Sequence, residues 1–103
     1  MKSREITLGR TSTHTQVDID LSMLKPSKKI SRIQCKICLV EDDVFYLFNK
    51  GSLIVWIDGE PVEQNNKHKL NDKALIEIDS ISILFLINYN NIAPLFQINS
   101  QVN

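Results

Sequence analysis

The stretch KKISRIQCKICLV, residues 28–40, decides how this chain is read. From Ile33 onward it alternates: Ile33, Cys35, Ile37 and Leu39 fall on one face of an extended chain, Gln34, Lys36 and Cys38 on the other. Apolar residues at a period of two mark a half-buried strand. The entry to that strand, Lys28-Lys29-Ile30-Ser31-Arg32, is different in kind. It gathers positive charge and a hydroxyl at a strand start, which suits an anion site better than it suits packing. The same stretch holds Cys35-Lys36-Ile37-Cys38, spaced like a metal or redox pair. In a strand, residues three apart point to opposite faces and lie roughly 10 Å apart, which excludes a disulfide. The other soft ligands, His14 and His68, stand at unrelated spacings, so no tetrahedral metal set is expected. No helix N-terminus is at hand to activate a thiol. Cys35 therefore reads as a small core residue and Cys38 as a thiol on the opposite face.

A chain of 103 residues suffices for one domain with one core. Twelve basic and twelve acidic residues cancel, which removes any global attraction to nucleic acid. Local charge is uneven: Lys25, Lys28, Lys29, Arg32 and Lys36 occur with no acidic residue among them, and Glu41-Asp42-Asp43 follows. That cluster lacks an interleaved aromatic platform for bases, so nucleic-acid binding is not expected of it. No apolar run is long enough to cross a bilayer, and Met1-Lys2-Ser3-Arg4-Glu5 is not a signal-peptide core. With two cysteines and no secretion signal, an intracellular, reducing compartment is expected.

Short apolar segments separated by turn residues at close intervals predict an all-β sandwich. Glu5–Leu8 runs into Gly9-Arg10; Val17–Leu21 alternates; residues 22–29 form a loop around Pro26. After the strand from Ile33, Glu41-Asp42-Asp43 turns into Val44–Phe48, and Asn49-Lys50-Gly51-Ser52 breaks the pattern before Leu53–Ile57. Asp58-Gly59 is a two-residue hairpin turn returning through Glu60-Pro61-Val62. Gln64 to Lys69 reads as polar loop with Leu70 as an anchor, and Ala74–Ile78 and Ile81–Ile87 as a hairpin around Asp79-Ser80. Beyond Asn88 the Asn residues and Pro94 interrupt the pattern, so residues 1–88 are expected to form the domain and 89–103 an Asn-rich C-terminal tail. Ile92, Leu95, Phe96 and Ile98 are able to pack that tail on the sandwich.

Loops of a sandwich cluster at its two ends, so Arg10, Ser31 and Arg32 converge on one anion if their loops meet. A phosphate uses a planar guanidinium, a hydroxyl and backbone N–H groups together. The competing reading makes each an ordinary solvated strand terminus, and pattern alone leaves both standing.

The order Ile6-Thr7-Leu8-Gly9-Arg10, Val17–Leu21, Ile30-Ser31-Arg32-Ile33-Gln34 and Ile57-Asp58-Gly59 resembles the forkhead-associated (FHA) family from about Glu5 to Asn88. The resemblance implies a β-sandwich of two twisted, antiparallel-rich sheets, about eleven strands in all, whose loops at one end bind phosphothreonine peptides. It implies that Arg10 supports the loops and reaches the phosphate, that Ser31 donates its hydroxyl, and that Arg32 adds a further contact. Lys29 matches a position that selects the residue three after the phosphothreonine; Asn49, Lys50 and Gly51 lie in the loop that clamps the peptide main chain. Gly9, Gln34 and Gly59 fall to structural support, Gly59 as the hairpin glycine. Gln34 stands where histidine is common in the family, and Asn49-Lys50-Gly51-Ser52-Leu53-Ile54 replaces the usual Ser-x-Asn-Gly-Thr.

The resemblance thus implies a non-catalytic phosphothreonine-peptide recognition module that joins phosphorylated partners; no cofactor, metal or membrane is expected, and the isolated domain is expected to be monomeric. Its variant of the pattern resembles a nuclear branch of the family, which implies a nuclear, chromatin-associated setting. An enzyme is not indicated, because no serine sits in a nucleophile elbow and no Gly-rich loop precedes a helix. The alternative is a phosphate-independent scaffold that docks a partner through a sheet face carrying Trp56 and Leu84.

Overall fold

The computed structural model describes residues 5–23, 29–40, 44–90 and 92–100. Lys25, Pro26, Lys28 and the Glu41-Asp42-Asp43 turn lie outside the described residues. The architecture is all-β. Its strands are β1 (Glu5–Gly9), β2 (Ile19–Asp20), β3 (Ile33–Val40), β4 (Val44–Asn49), β5 (Val55–Ile57), β6 (Glu60–Val62), β7 (Lys67–Leu70), β8 (Ala74–Ile78), β9 (Ile81–Asn88) and β10 (Ala93–Ser100). They form two five-stranded sheets, ordered β2-β1-β3-β4-β7 and β10-β9-β8-β5-β6. All described pairings are antiparallel except β1 with β2.

The inward faces carry the alternation read in the sequence except at Gln34, expected on the outer face but buried where the β1–β3 register slips between Leu8 and Gly9. Leu8, Cys35, Ile37, Phe45 and Leu47 of the first sheet meet Ile57, Ile76, Ile83 and Phe85 of the second, all buried. Phe45 and Phe85 cross the sandwich edge to face at 5.2 Å between centroids, and Phe85 repeats the contact with Phe96 at 5.7 Å. Burying each ring stabilises by roughly 1.5–3 kcal/mol, and the pair geometry adds to it. Burial pushes the Cys35 thiol up to about 12. The Cys38 thiol is raised too, by burial first and then by Glu5, to which its Sγ donates at 3.7 Å. Neither sulfur is held as a thiolate near neutral pH.

Three other expectations change. Residues 67–70, read as loop and anchor, form the edge strand β7, with Phe45↔Leu70 and Phe48↔Lys67 in register with β4. Charged residues suit an exposed edge, where they discourage pairing with other chains. The tail is largely strand: β10 pairs with β9 from Ala93↔Asn88 to Ser100↔Ile81. Pro94 does not break it, because an edge strand has a row of N–H groups with no sheet partner. Pro61 lies on the opposite edge, in β6. Finally, the strand expected over Val17–Leu21 is cut to Ile19–Asp20 by a 3-10 turn at Leu21–Met23. The Asp20 carboxylate accepts from Ser22 N and Oγ, offering the backbone a local turn in place of the ladder.

The hairpin signals hold. Asp58 and Gly59 have φ of 51° and 84°, and Asp79 and Ser80 of 44° and 73°, the positive values that two-residue hairpin turns require. No helix among the described residues is long and apolar enough to cross a membrane.

Candidate functional site

The site is built where β1 ends against the start of β3. The register slips between Leu8 and Gly9, which faces Ile33. A Cβ on Gly9 would lie 2.1 Å from the Arg32 carbonyl oxygen, so only glycine permits this approach. The close contact lets Arg10 hold the backbone on both sides of Ser31. Its N–H donates to Arg32 O at 3.1 Å and its Nε to Ile30 O at 3.1 Å. Among the described residues, the two terminal guanidinium nitrogens of Arg10 carry no hydrogen bond. Hydrogen bonding, from the Ser22 hydroxyl first, then the Ser22 N–H and least Thr11, holds the Asp20 carboxyl below its usual range despite opposing burial.

Ser31 joins this loop to the one after β4. Its Oγ accepts from Ser52 N at 3.1 Å and stands 3.4 Å from Ser52 Oγ. A hydroxyl oxygen that accepts from one side keeps its proton to donate elsewhere. Ser31 N donates in turn to Gln34 Oε1 at 3.3 Å.

Beneath lies a sealed polar cluster. Gln34 and Asn49 are both fully buried. Gln34 Nε2 donates to Asn49 Oδ1 at 2.8 Å and to Leu53 O at 3.0 Å. Asn49 Nδ2 donates to Leu53 O and Val62 O, each at 2.8 Å, while its Oδ1 also accepts from Gly51 N at 3.2 Å. The Gln34 carbonyl accepts from Lys50 N and Gly51 N at 2.9 and 2.8 Å. A Cβ on Gly51 would come within 2.4 Å of Gln34 Oε1, so the loop fits only as glycine there. Every amide hydrogen of both side chains has an acceptor, the condition under which a buried polar network rigidifies its surroundings.

The sequence-derived residues therefore sort into two layers. Arg10, Ser31, Arg32, Lys29 and Lys50 reach the surface of one end of the sandwich, with Arg32, Lys29 and Lys50 exposed. Asn49 and Gly51, expected to clamp a peptide, are buried behind Ser31, their polar atoms directed inward. Gln34 lies with them, and Gly9 sits under Arg32. Gly59 is confined to its hairpin turn, with nothing within 4 Å of its Cβ position. Sequence reasoning missed Ser52, whose N–H holds the Ser31 oxygen, and the Leu53 carbonyl, which both amides share. Their only sequence signal is a hydroxyl after Gly51 in a loop that breaks the strand pattern.

The sequence pattern of the FHA domain matches residues 6–79. The chain belongs to the FHA-domain family. FHA domains are recognition modules rather than enzymes. Among solved structures, a Rad53 chain of residues 1–466 in complex with AMP-PNP superposes with a TM-score of 0.71 at 25% identity, covering 84% of this chain and 22% of that one. The N-terminal FHA domain of S. cerevisiae Rad53p, in complex with a phosphothreonine peptide, gives a TM-score of 0.69 at 23% identity over 85% of this chain and 71% of that chain. An engineered FHA with a Myc-pTBD peptide gives 0.58 at 19% identity, covering 92% of this chain and 64% of that one. This FHA domain spans about a fifth of the Rad53 chain it matches first, at 22% of its length.

Proposed function

We propose that this FHA domain is a phosphothreonine-peptide reader that joins its parent protein to phosphorylated partners. The observation that carries the reading is Arg10 bracketing Ser31 through Ile30 O and Arg32 O, with both terminal guanidinium nitrogens and the Ser31 proton left for an anion. The phosphothreonine peptide held by the Rad53p FHA domain supports it. A phosphate brings up to two negative charges and three strong acceptors. Arg10 and Ser31 supply the first contacts, Arg32 the next, with Lys29 and Lys50 adding positive field at the rim. Gln34, Asn49 and Gly51 serve as the frame beneath, so the clamp of the main chain falls to Lys50 and Ser52. Three charge-assisted hydrogen bonds at about 1.5–3 kcal/mol each, together with clamping of the peptide main chain, reach roughly 8 kcal/mol. That is micromolar affinity, suited to a reversible signal.

We further propose, from the sequence pattern, a similarity within the family to the FHA domain of microspherule protein. The shared elements are Ile30-Ser31-Arg32-x-Gln34, Asn49-x-Gly51, Trp56–Val62 and the close on Phe85-Leu86-Ile87-Asn88. We therefore place the domain in a nuclear, chromatin-associated complex, monomeric when isolated.

Titration of a degenerate phosphothreonine library, with unphosphorylated controls, tests the function. Ser31→Ala and Arg10→Ala are each expected to weaken binding at least tenfold, about 1.4 kcal/mol. Equal binding of phosphorylated and unphosphorylated sets rejects it.

A second reading has its own observation. The outer face of the second sheet exposes Trp56 (41%), Leu75 (37%) and Leu95 (50%), with Leu84 in register opposite Leu75. A partner docked there persists after phosphatase treatment and in Arg10→Ala; loss under either condition counts against it.

A further inference from the structure

The outer face of the first sheet lies next to the phosphate-binding end, and no part of the reading above uses it. Strand register places two rows of side chains on it. Glu5, Cys38, Tyr46 and Lys69 form one row; Thr7, Lys36, Phe48 and Lys67 form the other. Directly opposed residues of antiparallel strands share a face. Lys67 Nζ stands 5.2 Å from the Tyr46 ring centroid and 5.9 Å from that of Phe48. A hollow of about 220 Å³ opens between Glu5, Lys36, Cys38, Phe48 and Lys50. Among the described residues, Lys36, Lys50, Lys67 and Lys69 thus face two carboxylates. Glu5 is 3.6 Å from Lys36 Nζ, and Asp18, at the margin, is taken up by Thr7 N and Oγ1. Among the described residues, Lys50, Lys67 and Lys69 have no carboxylate partner.

We propose that this face holds an acidic stretch of the same polypeptide that carries the phosphothreonine, a proposal that rests on the phosphopeptide reading. Two observations select that occupant. The first is charge: an excess of lysines around an aromatic floor complements Asp or Glu side chains. The second is continuity. Lys50 lines the hollow and belongs to the loop whose Ser52 N–H holds Ser31 Oγ. Lys50 N also bonds the Gln34 carbonyl, two residues of strand from Lys36, a distance of about 7 Å. An extended flank of about five residues spans the way from Ser31 to Lys36. Single-stranded nucleic acid fits less well, because an ammonium already stands over both rings on which bases would stack.

Fluorescein-labelled peptides with a central phosphothreonine and Glu-rich flanks, the same with Gln for Glu, and the unphosphorylated Glu-rich peptide separate the possibilities by anisotropy. The Glu-flanked phosphopeptide is expected to bind about tenfold tighter than the Gln-flanked one. The double variant Lys67→Glu/Lys69→Glu, both at exposed positions of an edge strand, should abolish that preference while leaving the Gln-flanked phosphopeptide unchanged. Glu5→Gln should enlarge it. Equal binding of the two phosphopeptides by the wild type overturns the acidic subsite alone. Equal binding of phosphorylated and unphosphorylated Glu-flanked peptides instead overturns the phosphothreonine reading beneath it. A uridine decamer that displaces the Glu-flanked peptide, and loses affinity in the double variant, overturns the choice of occupant.

Discussion

Two polar assemblies tie separate elements of this domain together, and they differ in where the water is. At the site end, Gln34 and Asn49 join the loop after β4 to β3 and β6 with no solvent access. At the far edges, His68 of β7 bonds Glu60 of β6 and so links the two sheets, but Glu60 is 72% exposed. Both count as hydrogen bonds between distant residues. Only the first leaves stranded, dry groups behind when a partner is removed, and the energetic difference follows from that.

The largest effect is therefore expected at Asn49. Replacing it by Ala removes the acceptor of Gly51 N and the donor to Leu53 O and Val62 O, and orphans a Gln34 amide hydrogen. Each unsatisfied buried group costs roughly 1–3 kcal/mol, so the variant should lose about 3 kcal/mol or more. Urea unfolding with an unchanged slope would show it; a loss under 1 kcal/mol would mean that the cluster is not the frame of the site.

Gly51→Ala comes next. Its Cβ must displace the Gln34 amide, an overpacking change of about 1–3 kcal/mol. Because Gln34 Oε1 holds Ser31 N, phosphopeptide affinity should fall with stability. Ser31→Ala sharpens the contrast, since Ser31 is only partly buried and its hydroxyl frames nothing but Ser52. Its unfolding midpoint should stay close to wild type while its binding falls at least tenfold. A stability loss matching that of Gly51→Ala would move Ser31 into the frame.

What the sequence made legible was local. The alternation from Cys35 to Leu39 and the Asp58-Gly59 turn need only neighbours a few residues away, and both stand in the structure as read, whereas Gln34, read onto the outer face, is buried. The Gln34–Asn49 partnership spans fifteen residues and carries no pattern. Asn49 reads as a loop ligand until β6 and the Leu53 carbonyl close over it. Strand β7 was hidden because only Leu70 of its four residues is fully buried, while Lys67 and Lys69 point to water. Strand β10 was hidden by Pro94, whose cost vanishes on an edge that no sequence pattern announces. The convergence of Arg10 and Ser31 was suggested by family resemblance; its physical cause, the missing Cβ of Gly9 beneath Arg32 O, is visible only in three dimensions.

The smallest expected effect lies at the exposed pair, and its sign can be worked out. His68 Nδ1 is 2.7 Å from Lys69 O and Nε2 is 2.9 Å from Glu60 Oε1, so both ring nitrogens face acceptors. Only the imidazolium satisfies both. The hydrogen bond to Glu60 and then the Lys69 carbonyl raise the His68 pKa above 6.5, against a smaller opposing effect of burial. A pKa raised by folding contributes stability that is fully present below about pH 6.5 and is lost as pH rises through the folded value. Solvent limits it to roughly 0.2–1 kcal/mol. Glu60→Gln should therefore cost a few tenths of a kcal/mol at about pH 5.5 and almost nothing at about pH 8.5, read as a gap between urea midpoints that closes with rising pH. A gap that stays level or widens would show that packing of the imidazole against the edges of the two sheets, rather than its charge, holds β6 to β7.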